Sequence, residues 1–578
     1  MSIDPDFGFF PNHCRNLSKD AGPWQHLANI LKGKHPWRNA LGMVLTLIVS
    51  LQMASAAEAR KAGVRGAIVD AADGRPLAAR IYVQSSSGEW LFPSSTSPEG
   101  SALRYQKQNW VNTNAVEMHT TLSAHLFVID LEPGAYTVSV ERGKEYFPFT
   151  QAIEIKDQPV AVQFPLKRWI NLAERGWYSG DTHVHRALDE LPNLLSAEDV
   201  NVAFPLVYWV TKAFAPPARG DKNIAGDISA DLIKVDATHV IYPRNTEYEI
   251  FTVDGKNHTL GAVFVLNHRT AFEQGAPPVG SIAARAHQEG ALLDLDKHDW
   301  PWSMMLVPVM EVDLYELSNN HVWRTEFGFT KWNAQAPDYL GLPNEGWSGA
   351  ERDWIEYGLR NYYTLLNCGF RLRPTAGTAN GVHPVPLGFS RVYVHLPDGF
   401  SYDGWVRGLK EGRSFVTTGP MLFAKIDNQD AGHTFKSSAA LPLELHLSGS
   451  VVSEMPLSRI EIVVNGDVQE TLSLDNRRTK AGAFENTLKA RLEFDASGWM
   501  AVRCFEGRAA GRVRFAHSGP FYVEVPGKPL RPRRQEVEFL IRRVQDQITR
   551  SGGVLPAAAM AEYQKALAIY QEIARTAR

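Results

Sequence analysis

Two histidines spaced two residues apart, His183 and His185, stand in the segment 177–186, which reads WYSGDTHVHR. On a β-strand, side chains two residues apart point to the same face, so both imidazoles project together with Asp181 behind them. Neutral imidazole is the commonest metal ligand at neutral pH. The spacing therefore indicates a site for one cation. Because the chain has 18 histidines in 578 residues, such a pair also arises by chance, and the surrounding sequence has to decide.

Other histidines and acids follow apolar segments farther along the chain. Glu247 and Glu249 share one face of a predicted strand. Further polar residues stand at the ends of predicted strands: His268, Asp294, Asp296, His298, Glu316, Asn319, Asn320 and His321. Barrel enzymes build their sites at the carboxyl ends of strands. If His183 and His185 bind one ion, at least two further ligands must lie within about 4 Å of their nitrogens. The candidates for these ligands are Glu247, His298, Glu316, His321 and His383.

Four apolar segments are candidates for the strands that position these side chains: 202–208, 261–266, 290–295 and 312–317. Near-continuous apolar runs are typical of strands buried on both faces, as in a parallel sheet or barrel covered by helices. Residues 281–289 predict one such helix, which leads into the strand at Ala291. We therefore expect residues 175–389 to form an α/β domain that carries the site.

Segments rich in β-pattern flank this domain on both sides. Residues 63–168 show short strands broken by Pro and Gly turns, typical of a β-sandwich. Residues 390–526 return to that pattern, and Asn465-Gly466 marks a hairpin turn. They predict a second sandwich that supports the barrel, with carbohydrate or polymer binding as the alternative. Residues 533–578 carry two apolar helical stripes and predict a helical hairpin that clasps the sandwich or, alternatively, mediates dimerisation.

Residues 1–60 have the pattern of a leader with an export signal. Lys32, Lys34 and Arg38 precede the uncharged run 40–51, and the small residues 54–57 form a cleavage pattern. The run is shorter than the ~20 residues that a transmembrane helix needs, which favours a cleaved signal peptide over an uncleaved N-terminal anchor. We therefore expect a periplasmic or secreted protein with no other membrane attachment.

Composition excludes several function classes. The net charge of −3 and the lack of a basic stripe argue against nucleic acid as a partner. The three cysteines, Cys14, Cys368 and Cys504, give neither a disulfide framework nor a C-x-x-C metal site. A G-x-S-x-G nucleophile elbow and a phosphate-cradling Gly loop are also missing from the sequence. Metal chemistry remains the best supported class.

The segment RGWYSGDTHVHR resembles the opening of the polymerase and histidinol phosphatase (PHP) metallohydrolase domain, in its CehA/McbA-like branch, which often begins GDLHVH. Later segments resemble that branch in order: NTEYEIFTVDGKNHTLGAVFVL, GALLDLDKHDWPW, VDLYELSNNH, AGTANGVHPVPLGFSRVYV and GRSFVTTGPML. The N-terminal β-pattern resembles the carboxypeptidase regulatory-like domain. Together the resemblance covers residues 63–422.

The resemblance implies a distorted (β/α)7 barrel that holds one to three divalent ions, often Zn, Mn or Fe, and hydrolyses phosphoester, ester, amide or carbamate bonds. It implies His183, His185, Glu247 and His298 as metal ligands, a nitrogen-rich set that suits Zn²⁺ and also Fe²⁺ or Mn²⁺. Glu316 matches a later acid of the family. Asp181 or Glu316 would take a proton from a metal-activated water or orient a ligand histidine.

Two departures from the family pattern bear on this expectation. Where the family has TDH, this chain reads YWVTK at 208–212, which offers no ligand. Where the family has GSDxH, the chain reads GTAN at 377–380, and His383 is a possible substitute three residues on. These losses argue against a trinuclear site and leave one metal or a reorganised site.

The sequence thus predicts a multidomain α/β plus β protein: a PHP-like distorted (β/α)7 barrel flanked by two β-sandwiches and a C-terminal helical hairpin. The main functional hypothesis is a secreted metal-dependent hydrolase that acts on a small-molecule or glycan substrate. The alternative is a non-catalytic glycan- or protein-binding protein on a degenerate PHP scaffold. The lost TDH and DxH positions favour the alternative, and the retained His and Glu residues favour the enzyme.

Overall fold

Strands account for most of the regular structure in the computed structural model, which describes residues 62–110, 112–156, 158–219, 227–318, 322–325, 351–437 and 442–578. Seven α-helices lie within these ranges. The protein is therefore multidomain and sheet-rich, and residues Lys61–Arg578 form one compact unit. The predicted signal peptide and leader lie outside the described residues. No helix in the described ranges is long and apolar enough to cross a membrane.

The N-terminal part consists of two sheets around a shared apolar core. Its ten strands are β1 Ala62–Asp70, β2 Ala79–Ser85, β3 Trp90–Leu91, β4 Ser94–Ser95, β5 Ala102–Gln108, β6 Val116–Leu122, β7 Phe127–Leu131, β8 Gly134–Glu141, β9 Phe149–Ile155 and β10 Val160–Leu166. The strand orders are β10-β1-β7-β4 and β5-β6-β2-β8-β9. Alternation places Val138 and Val140 of β8 inside, beside Ile81 of β2 and Phe164 of β10.

Eleven strands follow: β11 Trp177–Val184, β12 Val202–Pro205, β13 Tyr208–Lys212, β14 Ala218–Arg219, β15 Ile233–Lys234, β16 Val240–Ile241, β17 Thr246–Val253, β18 Lys256–Leu266, β19 Leu292–Leu295, β20 Leu314–Ser318 and β21 Arg373–Ala376. Seven of them form a sheet in the order β14-β13-β17-β18-β19-β20-β21. We call this the central sheet.

The central sheet is mixed, whereas the sequence predicted a parallel sheet. β18 runs antiparallel to both of its neighbours, β17 and β19, while β19, β20 and β21 pair in parallel. The antiparallel pairing of β17 with β18 follows from the two-residue turn Asp254-Gly255, in which both residues have positive φ, 49° and 75°. Such a turn joins adjacent antiparallel strands and leaves no room for a crossover helix.

The remaining strands are β22 Arg391–His395, β23 Ser414–Thr417, β24 Met421–Ile426, β25 Thr434–Lys436, β26 Leu443–Ser453, β27 Arg459–Val464, β28 Asp467–Thr471, β29 Arg477–Arg478, β30 Phe484–Phe494, β31 Gly498–Gly507, β32 Val513–Ser518 and β33 Phe521–Glu524. One sheet runs through β15-β16-β12-β11-β22-β23-β32-β31-β27-β28, and another through β24-β26-β30-β29. The first sheet is continuous across the predicted boundary at residues 389 and 390, because β22 pairs with β11.

The helices are α1 Leu191–Glu198, α2 Gly280–Glu289, α3 Ser303–Met310, α4 Glu351–Asn367, α5 Tyr402–Glu411, α6 Arg534–Ser551 and α7 Ala557–Thr576. The sequence prediction of a helix at 281–289 is confirmed by α2. Every residue of α3 is buried, and the predicted helical hairpin, α6 and α7, helps to cover it. Tyr570 Oη donates to Met304 O at 2.8 Å. The hairpin therefore packs against a helix beside the central sheet, and Arg533, the residue before α6, donates to Asn465 O at 3.2 Å between β27 and β28.

Candidate metal centre

The two histidines lie at the carboxyl end of β11, where neighbouring segments fix the backbone. β12 pairs with β11 in parallel, and β22 pairs with it antiparallel. Beyond the strand, the backbone N–H of His185 donates to Asn380 O at 2.8 Å, and that of Ala379 donates to His183 O at 2.7 Å. The segment 377–383 thus holds both histidines in place.

Three side-chain atoms converge at this strand end. His183 Nε2 lies 3.2 Å from His185 Nε2, and His185 Nε2 lies 3.3 Å from Glu247 Oε2, which β17 supplies. Ligand atoms about 2.0–2.1 Å from one tetrahedral Zn²⁺ lie roughly 3.3–3.4 Å from one another. The three atoms therefore have the spacing of ligands to a single ion.

Two buried carboxylate oxygens at the site make no hydrogen bond within the described part of the chain: Glu247 Oε2 and Asp296 Oδ1. Such oxygens are costly to bury unless a cation or donor satisfies them. Burial, followed by the neighbouring Glu249 carboxylate, raises the pKa of Glu247 well above its ordinary value. The site residues therefore fit a bound divalent ion, which would satisfy Glu247 Oε2 directly, whereas Asp296 Oδ1 belongs to a separate group with His183 and Glu316.

A second group of acids lies on the other side of the His183 ring. Glu316 Oε1 from β20 lies 3.2 Å from His183 Nδ1, and Asp296 Oδ1 lies 3.8 Å from it. Burial and Asp296 raise the pKa of Glu316 well above its ordinary value. A carboxylate that accepts the Nδ1 proton of a ligand histidine leaves the Nε2 lone pair directed at the metal. Glu316 is placed to orient His183 in this way.

The predicted distance test is met by two residues, Glu247 and Glu316, at 3.3 Å and 3.2 Å from the histidine nitrogens. Neither His298 nor His383 belongs to the grouped metal-binding side chains of the described residues. The predicted candidates Asn319, Asn320 and His321 lie outside the described residues.

Lys297 supplies a positive charge among these acids. It forms an ion pair with Asp296, and its Nζ lies 3.9 Å from Glu249 Oε1. Burial disfavours the charged form of Lys297, but Asp296 and Glu249 outweigh that effect and hold its pKa above the ordinary value. Burial raises the pKa of Glu249 to about 7 and that of Asp294 to about 8. The acids thus outnumber this ammonium group, which again favours an additional cation.

The contacts of Asp181 fit the predicted role of orienting a ligand histidine better than the alternative role in proton transfer. Its Oδ1 accepts from the backbone N–H groups of His183 and Thr378 at 3.1 and 3.2 Å. Its Oδ2 accepts from Thr378 Oγ1 at 2.6 Å and from Gly388 N at 2.8 Å. With both oxygens engaged, the side chain joins β11 to the segment 377–388.

His298, predicted as a ligand, faces away from the convergence point. Its ring lies 5.7 Å from Tyr315, 5.3 Å from Trp354 and 5.5 Å from Tyr357, centroid to centroid. Asn361 Nδ2 lies 3.3 Å from His298 Nδ1. The chain turns at Lys297 after β19 has ended, so the two-residue alternation of a strand no longer applies there. Asp296 and Lys297 reach the site instead.

The segment that reads GTAN in place of GSDxH contributes close packing instead of ligands. A Cβ added at Gly377 would lie 2.1 Å from Glu316 Oε1 and 2.2 Å from His183 Cβ. Glycine is therefore required there for the backbone to pass the site. His383 is buried between Trp110 and Trp323, with ring centroids 5.1 and 5.8 Å away, and burial lowers its pKa to about 3. His383 therefore packs between two tryptophans and is not one of the three converging side chains, His183, His185 and Glu247.

Sequence reasoning placed Asp296 among the polar residues at strand ends but did not select it for the site, and it missed Gly377. Asp296 stands in the same strand-end segment, DLDKHD, from which His298 was chosen. The family pattern favoured the histidine, although the acid next to the strand end is the residue that the strand directs into the site.

Comparisons with known proteins give little beyond this geometry. No protein-family model matches the chain, and no curated protein matches it. Among solved structures, the chain is similar to a two-domain protein from Bacteroides vulgatus ATCC 8482 that contains a predicted PHP-like metal-dependent phosphoesterase. The identity is 11%, the match covers 60% of this chain and 95% of that chain, and the TM-score is 0.26. So distant a likeness carries no argument about the site.

Proposed function

We propose that this chain is a metal-dependent hydrolase whose divalent ion is held by His183, His185 and Glu247. The observation that carries the proposal is the convergence of two imidazole nitrogens and one carboxylate oxygen, at 3.2 and 3.3 Å. A three-ligand set leaves a position for water or substrate, as catalytic zinc sites do. The proposed substrates carry a phosphoester, ester, amide or carbamate bond.

When bound, a divalent ion at this site supplies a Lewis acid and lowers the pKa of a water molecule toward neutrality. The chain's own residues prepare that position. Glu316 holds the proton on His183 Nδ1, and Asp181 fixes the backbone N–H of the same residue at 3.1 Å. Lys297 offsets part of the negative charge of Asp296 and Glu249.

The alternative proposal is a glycan- or protein-binding protein on a degenerate scaffold. It is favoured by the position of His298 outside the triad and by the missing TDH and DxH positions. The aromatic group Trp110, Trp323 and His383 would then serve binding rather than catalysis. The two proposals differ in whether the purified protein holds a metal and turns over a substrate.

We also propose that the protein is exported, with residues 1–60 as leader and signal, and that it has no nucleic-acid partner. The basic residues before the run 40–51 and the small residues after it support export. N-terminal sequencing of the mature protein tests this proposal, and an intact Met1 in the exported protein would contradict it.

The test of the metal site is metal content by elemental mass spectrometry. We expect about one equivalent of a transition metal in the parent, and little in the double variant His183→Ala/His185→Ala. His298→Gln, outside the triad, and His446→Gln, at an exposed strand position, serve as matched controls and should keep the metal. Metal-loaded parent protein is then assayed with phosphoesters, esters and carbamates.

Equal metal content in the parent and the double variant, after reconstitution, would overturn the site. A metal-loaded parent without turnover of any of these bond classes would favour the binding protein.

A further inference from the structure

A second polar region lies apart from the metal centre, in a cavity of about 360 Å³. It opens between the β8–β9 connection, the segment 386–391 and β32. Its lining carries seven Lys or Arg side chains but only three Glu side chains, and none of the proposed metal ligands. We call it the basic cavity and define it by Lys144, Phe389, Arg391, Thr418 and Arg514.

Four of the lining arginines have carboxylate partners. Arg80 pairs with Glu141 and Glu198, Arg324 with Glu117 and Glu141, Arg508 with Glu454 and Glu506, and Arg512 with Glu351. These pairs engage all three lining glutamates. The four guanidinium groups thus face six carboxylates, so this part of the wall carries more negative than positive charge.

The other three cations donate to backbone carbonyls instead. Lys144 Nζ donates to Thr418 O at 2.9 Å. Arg391 donates to the carbonyls of Gly388, Glu198 and Asp199. Arg514 donates to those of Val513 and Arg324.

Within the described ranges, no carboxylate is hydrogen-bonded to Lys144, Arg391 or Arg514. The carboxylate of Glu351 comes to 3.7 Å from Arg514, but it already pairs with Arg512 at 2.8 Å. Lys144, Arg391 and Arg514 therefore form a locally positive group within the basic cavity, although the seven lining cations as a whole face six carboxylates.

These cations are also close together, and the two arginines are shielded from water. Lys144 Nζ lies 3.7 Å and Arg514 Cζ 4.9 Å from the centroid of the Phe389 ring. Arg391 is 0% exposed and Arg514 is 8% exposed. Burial, with Arg514 and Arg391 next, lowers the pKa of Lys144 well below its ordinary value. Like charges grouped without counter-ions are costly, so an anion in the cavity would stabilise the fold.

We propose that the basic cavity binds the oxyanion of a phosphate-bearing small molecule, contacted by Lys144 and Arg514. Guanidinium and ammonium groups form charge-assisted hydrogen bonds with phosphate oxygens. The cavity has room for about a dozen water volumes at roughly 30 Å³ each, which exceeds one bare phosphate. A phosphomonoester of a small alcohol therefore fits better than inorganic phosphate alone.

The test is calorimetric titration of the metal-loaded protein with inorganic phosphate and with glycerol phosphate, using chloride at equal ionic strength as the reference. Lys144→Met keeps the aliphatic stem over Phe389 but removes the charge. Lys489→Met, on an exposed strand position, is the matched control. We expect phosphate affinity to fall about tenfold or more in Lys144→Met and to stay unchanged in Lys489→Met.

A second readout separates anion binding from a purely structural lysine. In chloride buffer we expect Lys144→Met to melt at or above the temperature of the parent, because an uncompensated cation has been removed. Phosphate buffer should raise the melting temperature of the parent more than that of Lys144→Met. A variant that melts lower than the parent in chloride would overturn the proposal.

A metal ion also attracts phosphate, so the contribution of the metal centre to phosphate binding is measured directly. The variant His183→Ala/His185→Ala should retain phosphate binding. Arg514→Gln and Lys144→Met, each made separately, should both lose it. The proposal is wrong if the histidine variant abolishes binding, if Lys144→Met and Arg514→Gln bind as the parent does, or if neither phosphate compound binds the parent.

Discussion

Both ring nitrogens of His183 face another residue of the site, which constrains the orientation of the ring. Nε2 faces His185 at 3.2 Å, and Nδ1 faces Glu316 at 3.2 Å. A carboxylate behind a ligand histidine fixes the tautomer and raises the basicity of the coordinating nitrogen. Metal affinity should therefore depend on a residue that need not touch the ion.

Glu316→Gln tests this dependence. Glutamine keeps the size of the side chain and can still accept a hydrogen bond, but it lacks the charge. We expect metal affinity to fall about tenfold, within the roughly 10- to 100-fold range for such partners. Competition with a chelator of known affinity gives the measurement, with Glu311→Gln, an exposed position, as the control. Unchanged affinity would show that Glu316 does not orient His183.

At the residue scale, sequence reasoning predicted the central part of the site but not all of it. His183, His185 and Glu247 come together because each lies on, or directly after, a strand whose alternation is regular. Asp181 obeys that alternation too, but its oxygens are taken by Thr378 and Gly388, which are about 200 residues away in sequence. Only the tertiary structure shows such partners, so the sequence could not decide between its two predicted roles.

At the scale of elements, a histidine connects helix α4 to the sheet that contains β11. His517 of β32 accepts from Tyr363 Oη of α4 at Nε2, 2.9 Å away, and donates from Nδ1 to Ser518 O at 2.6 Å. Acceptance at Nε2 requires the neutral ring, whereas the Nδ1–H group donates in either protonation state. Burial and then the nearby Arg503 lower the pKa of His517 to about 3.

This contact makes stability depend on pH in a definite direction. The unfolded chain protonates a histidine near pH 6.5, whereas folded His517 stays neutral until about pH 3, so stability falls as pH drops below 6.5. When the pH falls from 7.5 to 5, we expect the free energy of unfolding of the parent to decrease by about 2 kcal/mol more than that of His517→Gln. Urea unfolding at both pH values checks this expectation.

The exposed His446 provides the control for that experiment, because His446→Gln should show the pH dependence of the parent. An equal loss of stability in the parent and in His517→Gln would contradict a neutral, buried His517.

The elements themselves were predicted unevenly. The helix at 281–289 was recognised because its amphipathic stripe is local in sequence. The direction of β18 was missed, although Asp254-Gly255 is a strong hairpin signal, because apolar runs alone do not distinguish parallel from antiparallel neighbours. The pairing of β11 with β22 joins residues more than 200 positions apart, and no local pattern indicates it.

At the scale of the whole molecule, the hairpin of α6 and α7 secures the helices beside the central sheet. Glu562 of α7 accepts from the backbone N–H groups of Val279 and Gly280, at 2.8 and 2.7 Å, where α2 begins. A carboxylate at a helix N-terminus satisfies unpaired N–H groups and interacts favourably with the helix dipole.

Removing this carboxylate should lower the stability of the protein. We expect Glu562→Gln to reduce the free energy of unfolding by about 1 kcal/mol, in the range seen for lost helix caps. Glu572→Gln, an exposed position on the same helix, is the control. Urea unfolding of the two variants and the parent makes the comparison, and equal stability of both variants would show that the contact with α2 contributes nothing.

The complete burial of α3 also has a consequence for synthesis of the chain. Met304, whose carbonyl oxygen accepts a hydrogen bond from the Tyr570 hydroxyl, is synthesised 266 residues before Tyr570. At about 5–20 residues per second, a ribosome needs roughly 13–53 s to cover that interval. During this time the apolar surface of α3 has no α7 to cover it, so α3 can reach its fully buried state only after the C-terminal helices have been made.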